Sequence, residues 1–301
     1  MTELDLGVRQ TPARRHFKSK AGQNNHFLVT VLVGLDSVLD ETTQVAPDFS
    51  TSWTPQNRTN SYHRSRQYVL ESSLVWILDL VDGYRMSLGK TEGLLSVTSV
   101  VRMNQLDGRS RKLRELARLL HREADNAENL VRAAYSWRNR VVHGETSNRV
   151  SPELRSLLLP ARDEISEEYR GLDIERFLSS ADGSEIPTFK ETASTIAAAH
   201  KLIEQLDDAA IDLMDLEQYA ESILRQFFVS QFDAGNRAIF VQYWPGDEYK
   251  TRKRLRQFLL QSGFVANPPS ARTLSSEWAH TLTSMTAREA RSRFIANTHA
   301  P

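Results

Sequence analysis

The sequence predicts an all-α fold: a helical bundle followed by a second helical region. Three observations carry this. Apolar residues recur at spacings of three and four along most of the chain, the stripe that one buried face of a helix produces. The stripes are separated by short stretches rich in Gly, Pro, Ser and Asn. No run alternates as a half-buried strand would, and no segment repeats at a fixed period.

The elements follow in order. Residues 1–23 read as an N-terminal tail. Leu28, Val31, Leu32, Leu35, Val38 and Leu39 mark a first helix, and the apolar stretch 27–35 reads as buried. Residues 42–60, with Thr, Ser, Asn and two Pro, form a loop. Leu70, Leu74, Ile77, Leu78 and Val81 share the face of a second helix. Residues 91–106 suit either helix or strand by composition. Leu113, Leu116, Ala117 and Leu120 face inward from a helix over 109–122. Asn126 is the expected cap of the next, which carries Leu130, Ala133, Ala134, Trp137 and Val141 and stops at Gly144. Residues 173–187 are polar and read as a linker, so the expected units are 24–172 and 188–301. The second contains stripes through Ile196, Leu202, Ile203 and Leu206, and through Leu216, Tyr219, Ile223 and Leu224. A break at Trp244-Pro245-Gly246 precedes a basic helix near 248–262. Pro268-Pro269 introduces a last helix with Trp278, Leu282 and Met285.

Composition narrows the chemistry. The 301 residues balance 38 basic against 38 acidic side chains, which argues against a globally basic nucleic-acid binder but not against a local basic surface. The absence of Cys excludes disulfides, thiolate metal sites, iron–sulfur clusters and a Cys nucleophile, and fits a cytoplasmic protein. No signal or membrane segment is expected: the first residues are acidic and the longest apolar stretch is too short to span a bilayer. The basic side chains are mostly Arg, 30 against eight Lys, which suits bidentate phosphate contacts but also follows from coding bias.

Residues 83–91, G-Y-R-M-S-L-G-K-T, imitate a phosphate loop with five residues between the glycines where the motif needs four. They leave an amphipathic helix rather than a strand, so Gly83 and Gly89 are expected to end a helix and make a turn. No H-E-x-x-H and no G-x-S-x-G occurs, and His121-Arg122-Glu123 lacks the cysteine half of a deaminase signature. No cofactor is implied.

The segment Tyr135-Ser136-Trp137-Arg138-Asn139-Arg140-Val141-Val142-His143-Gly144 resembles the R-x(4–6)-H signature of the HEPN superfamily. The bare spacing recurs at Arg9–His16, Arg58–His63, Arg114–His121 and Arg293–His299, so spacing alone selects nothing. Only Arg138 is followed by a small amide, only His143 by Gly, and only this pair closes a strongly amphipathic helix that follows several others. The competing reading makes Arg138 a surface residue and His143 a helix-end residue favoured by the dipole. The resemblance covers residues 24–172 and leaves 188–301 without a role. It implies an all-helical domain and a metal-independent endoribonuclease, of the toxin or phage-defence kind. It implies His143 as general acid/base, Arg138 as phosphate clamp and Asn139 as the residue orienting either. The implied partners are RNA, a second copy in a two-fold dimer sharing one cleft, and an antitoxin or regulatory protein.

The residue types suit that chemistry. Cleaving RNA by its own 2′-hydroxyl to a 2′,3′-cyclic phosphate needs a proton removed, a proton delivered and phosphorane charge stabilised. His exchanges protons near neutrality, and the Arg fork holds two phosphate oxygens. Five regular helical steps turn about 500°, leaving the two residues about 140° apart around the axis. The expectation is therefore that the last turn unwinds, or that the site is shared between copies. Arg109, Arg111, Lys112, Arg114 and Arg118, with Tyr135 and Arg140, are the candidate RNA contacts, although a solvated face would read the same. Tyr135 and Trp137 either stack on bases or pack in the core. Seven acids and no base lie within 203–222 and are expected to restrain a basic cleft. Two rivals remain: a non-catalytic HEPN-like module binding RNA, nucleotide or protein, and a helical DNA-binding regulator using Lys250, Arg252, Lys253, Arg254 and Arg256.

Overall fold

The computed structural model describes residues 4–40, 57–144, 149–183, 185–270 and 272–295. The fold is all-α, as the periodicity predicts. The helices in chain order are α1 (Pro12–Leu39), α2 (Arg58–Leu88), α3 (Val97–Gln105), α4 (Arg109–Leu119), α5 (Asn126–His143), α6 (Pro152–Leu158), α7 (Arg162–Glu168), α8 (Ile174–Asp182), α9 (Phe189–Leu213), α10 (Leu216–Asp233), α11 (Ile239–Tyr243), α12 (Glu248–Gln261), α13 (Ser276–Thr283) and α14 (Ala287–Ile295). Two short strands, β1 (Gly7–Val8) and β2 (Phe264–Val265), pair antiparallel. No helix among the described residues is long and apolar enough to cross a membrane.

The chain divides into two compact units. One comprises Met1–Pro12, Ser87–Val100 and Asp207–Pro301; the other comprises Ala13–Met86 and Val101–Leu206. The division therefore falls inside α9 and not at 173–187. That stretch is no linker: α8 occupies it, capped by Asp173, and buries Ile174, Phe177, Leu178 and Ala181. Its polar composition hid a short amphipathic helix. Nor is 1–23 a tail. Leu4, Leu6 and Val8 join the core of the first unit, and α1 begins at Pro12. Gly7 is required there, because a Cβ would meet the Arg272 carbonyl oxygen at 2.5 Å and the Pro268 ring at 2.6 Å.

The first unit packs around Phe228 of α10. Phe240, Trp244 and Phe294 lie 5.1–5.3 Å from its ring, an aromatic cluster with Leu224, Leu255 and Leu282 around it. In the second unit α1 and α2 lie together. Asn24 donates to the Ser73 carbonyl at 2.9 Å and Tyr62 donates to Asp36 at 2.8 Å. α2 buries all five predicted positions, Leu70, Leu74, Ile77, Leu78 and Val81. It also runs straight through Gly83 to Leu88, since Tyr84 and Leu88 continue the buried stripe, so Gly83 ends nothing. The apolar stretch of α1 is only half inward: Leu28 and Leu32 are buried, whereas Phe27, Val29, Val31 and Val33 face out. Most of the predicted loop 42–60 lies outside the described residues.

α5 is the axis of this unit. Every residue from Ala127 through Arg138 is buried, polar ones included. α4, α6 and α8 pack on it, and Tyr135 donates to the Leu78 carbonyl of α2 at 3.3 Å. Its cap is Asp125, one residue before the expected Asn126; the Asp125 carboxylate accepts from the Glu128 amide at 2.9 Å. Gly144 ends it with φ of 71°, the left-handed backbone that favours glycine.

A candidate arginine–histidine site on helix α5

Arg138 and His143 meet within one chain. Nη1 of Arg138 lies 3.3 Å from Nε2 of His143, on a helix that stays regular to its last residue. The expected unwinding does not occur and no second copy is needed for the contact. The reason is reach: the axial rise over five residues is about 7.5 Å, which a long Arg side chain can cover while curling round the helix. A guanidinium has no acceptor, so Nε2 of His143 accepts and the ring proton sits on Nδ1. Arg138 is 7 % exposed and His143 lies at the surface. The His143 ring is therefore open to solvent while its partner is fixed in the interior.

What fixes Arg138 is Asp79 of α2, whose Oδ1 accepts from Nε at 3.1 Å. The same carboxylate oxygen accepts from Arg109 at the start of α4. A second acid completes the row: Asp82 accepts from Arg85 at 2.9 Å and lies 3.8 Å from Arg109. Arg85 also donates to Asn104 of α3 at 2.8 Å. Three arginines thus share two carboxylates one helical turn apart on α2. A buried guanidinium cannot shed its charge, so this pairing is what permits Arg138 to be buried at all. Asp79 and Asp82 carry no motif and lie some sixty residues upstream. Their i, i+3 spacing on a face otherwise apolar was the one sequence signal for them.

Beside this pair, a cleft of about 550 Å³ opens between α4, α5 and the start of α6. It is lined by Arg109, Arg111, Arg132, Tyr135, Asn139 and Arg149, with Ser110, Ser136, Ser151, Asp107 and Glu153. Of the candidate site residues, the structure brings Asn139, Arg109, Arg111 and Tyr135 to this one cleft. Arg132 and Arg149 were not singled out in the sequence, because neither belongs to the basic run.

The other predicted contacts are engaged elsewhere. Arg118 is clamped bidentate by Glu115 at 2.7 and 2.8 Å, which holds the Glu115 carboxyl below its ordinary value. Arg114 reaches the Arg122 carbonyl at 3.3 Å and Glu128 at 3.5 Å. Lys112 lies on α4 away from the cleft lining. Arg140 donates to the Ser180 and Ala181 carbonyls at 2.9 and 3.0 Å, closing the C-terminal end of α8 where carbonyls lack helical partners. Tyr135 is 3 % exposed, and burial pushes its hydroxyl pKa upward, so its ring is a wall and not a stacking platform. Trp137 packs edge-on against Phe177 at 5.3 Å and donates to the Glu185 carbonyl at 3.1 Å. Burial also raises the pKa of Glu128, against the pull of Arg114 and Arg132.

Four of the seven acids of 203–222 are in local use. Glu204 pairs with Arg14, and Asp207 accepts the Thr11 amide at 2.9 Å. Asp215 caps α10, and Glu221 accepts from Trp278 at 3.1 Å. In α12, Lys250 pairs with Asp247 at 3.5 Å and Arg252 with Glu248 at 2.8 Å. Among the described residues no group of three or more His, Asp or Glu is placed to hold a metal ion. Neither known protein families, curated proteins nor solved structures yield a match to this chain.

Proposed function

We propose that the protein is a metal-independent endoribonuclease whose reacting pair is Arg138 and His143. The observation that carries the reading is their 3.3 Å contact at the exposed end of a buried helix, beside a cleft rich in arginine. Arg138 is the phosphate clamp. An incoming phosphodiester takes over its guanidinium, and Nε2 of His143, which that guanidinium occupies at rest, becomes free to accept a proton. His143 then removes the 2′-hydroxyl proton; the 2′-oxygen attacks phosphorus, the P–O5′ bond breaks, and the proton returns to the leaving oxygen. The product ends are a 2′,3′-cyclic phosphate and a 5′-hydroxyl. Asn139, projecting into the cleft, orients the strand.

A toxin or defence role, with an antitoxin or regulatory partner, is part of this reading through the HEPN resemblance. So is a two-fold dimer, although the pair closes within one chain. Sedimentation that shows only monomer at micromolar concentration removes the dimer without touching the chemistry. The non-catalytic reading is favoured by one observation: Asp79 already neutralises Arg138. The two separate in one experiment. Purified wild type in EDTA should cleave total RNA to cyclic-phosphate ends, and His143→Ala should be silent with its melting temperature unchanged, since His143 is exposed. Equal behaviour of the two proteins sinks the ribonuclease.

A further inference from the structure

The arginine-lined cleft contains more positive charge than the reacting pair uses, and its groups converge. α4 begins at Arg109 after Gly108, which has φ of 74° and no side chain to cap the first turn. That turn carries no acid either, unlike α5, α6, α8 and α12, so its amides point out of the helix without a capping side chain. Gly108, Ser110 and Arg111 all line the cleft. Across it, Arg132 is 6 % exposed and poorly satisfied. Nε has no hydrogen-bond partner, Nη1 lies 3.5 Å from Asn129, and Nη2 lies 3.5 Å from Glu153. The buried acid Glu128 is 3.7 Å away. A buried guanidinium held only at such long distances is a costly arrangement unless a further anion completes it. Glu153, two-thirds exposed, is the replaceable occupant. Arg111 and Arg149 stand exposed at the rim.

We propose that this cleft is a phosphodiester subsite. The first-turn amides of α4 and the guanidiniums of Arg111, Arg132 and Arg149 hold one backbone phosphate of the strand, and Asn139 links that position to Arg138 and His143 next to it. A helix N-terminus favours an anion, and the Arg fork matches two phosphate oxygens. Glu153 swings outward when the phosphate enters. The identity of the strand rests on the ribonuclease reading; the anion site does not. The subsite grips phosphate and not a 2′-hydroxyl, so it holds RNA and DNA strands alike, and only the reacting pair distinguishes them.

The probe is a fluorescent single-stranded all-deoxy octamer, which cannot be cleaved by 2′-hydroxyl attack. Its anisotropy titration should show Arg111→Gln/Arg149→Gln weakening binding at least tenfold. The slope against log salt should become shallower by about 0.7 for each phosphate that the variant no longer neutralises. Glu153→Gln should tighten binding severalfold by removing the competing carboxylate, a gain that a merely damaged fold would not give. In cleavage assays the double variant should raise KM and leave kcat within twofold. Unchanged probe binding in the double variant overturns the subsite while leaving cleavage by wild type intact. Displacement of the octamer by equal concentrations of adenosine 5′-monophosphate also overturns it, since the site would then belong to a terminal phosphate. If instead the probe responds as stated but His143→Ala cleaves like wild type, the subsite stands and the ribonuclease reading falls.

Discussion

Arg138 and His143 were legible as residues, since a motif spells both, but Asp79 was not. Its i, i+3 spacing from Asp82 on an otherwise apolar face marks it, but nothing in the sequence says which cation it meets. Only the apposition of α2 and α5 puts its carboxylate 3.1 Å from the Arg138 fork. Asp79→Asn should keep the volume and lose the charge that orients Arg138. If the pair cleaves RNA as proposed, small misplacements of Arg138 are expensive, and kcat should fall roughly 10- to 100-fold with KM little changed. Asp79→Glu should restore part of it, whereas a purely structural role would leave kcat unmoved. Elsewhere His200 gives a pH prediction. Burial lowers its pKa, Lys18 adds to the lowering, and Glu204 opposes it; the ring packs edge-on against Phe17 at 5.3 Å. The folded chain therefore prefers neutral His200. Its contribution to stability is present above the ordinary value of 6.5 and is lost as pH falls below it toward the depressed folded value. Thermal melts from about pH 7.5 down to about 5.5, a window that brackets the ordinary value, should show wild type losing more stability than His200→Asn. Parallel curves would rule this out.

At the scale of elements, periodicity located most helices but misjudged their surroundings. α5 looked amphipathic and is buried on all sides from Ala127 through Arg138, because Glu128, Asn129, Arg132, Ser136 and Arg138 all enter the interior. Glu128 and Arg132 meet there, and Arg138 finds its acid on another helix. α8 was hidden because a nine-residue helix offers few turns for a stripe to show, and Ser and Asp within it read as loop residues. The structure gives that helix a duty toward the site. Phe177 supports Trp137, and Arg140 of the motif closes its C-terminus. Phe177→Ala should cost about 3–5 kcal/mol in urea unfolding, the usual range for an emptied aromatic site in a core. A linker residue would cost nothing. The run at 27–35 failed in the opposite direction. A stretch that is apolar on every face cannot tell which face has a partner, and on α1 Leu28 and Leu32 are the buried members of that run.

Over the whole molecule the two units are interleaved along the chain, so domain limits drawn at a composition change cannot match them. The unit containing α10–α14 also requires residues near the N-terminus. Leu4, Leu6 and Val8 are at most 3 % exposed in its core, and β1 pairs with β2. Each such side chain contributes about 1.5–3 kcal/mol on burial. A chain of residues 188–301 alone should therefore lack part of its core and show the poorly dispersed amide spectrum of an unfolded or molten species. Removing residues 1–9 from the full chain should lower the melting temperature by at least about 5 °C. Independent, well-dispersed folding of 188–301 would contradict the interleaving.

The sequence by itself determined the helical class, most helix positions and the Arg138–Asn139–His143 segment, because each is written locally, in a period of 3.6 residues or a run of adjacent side chains. Only the tertiary structure decided that Asp79 and Asp82 hold the arginines, that Arg132 and Arg149 join Arg109 and Arg111 at one cleft, and that α8 is part of a core. Those facts depend on which helix faces meet. Pairings between residues far apart in the chain follow from packing, and a single chain of letters does not encode them at any fixed spacing.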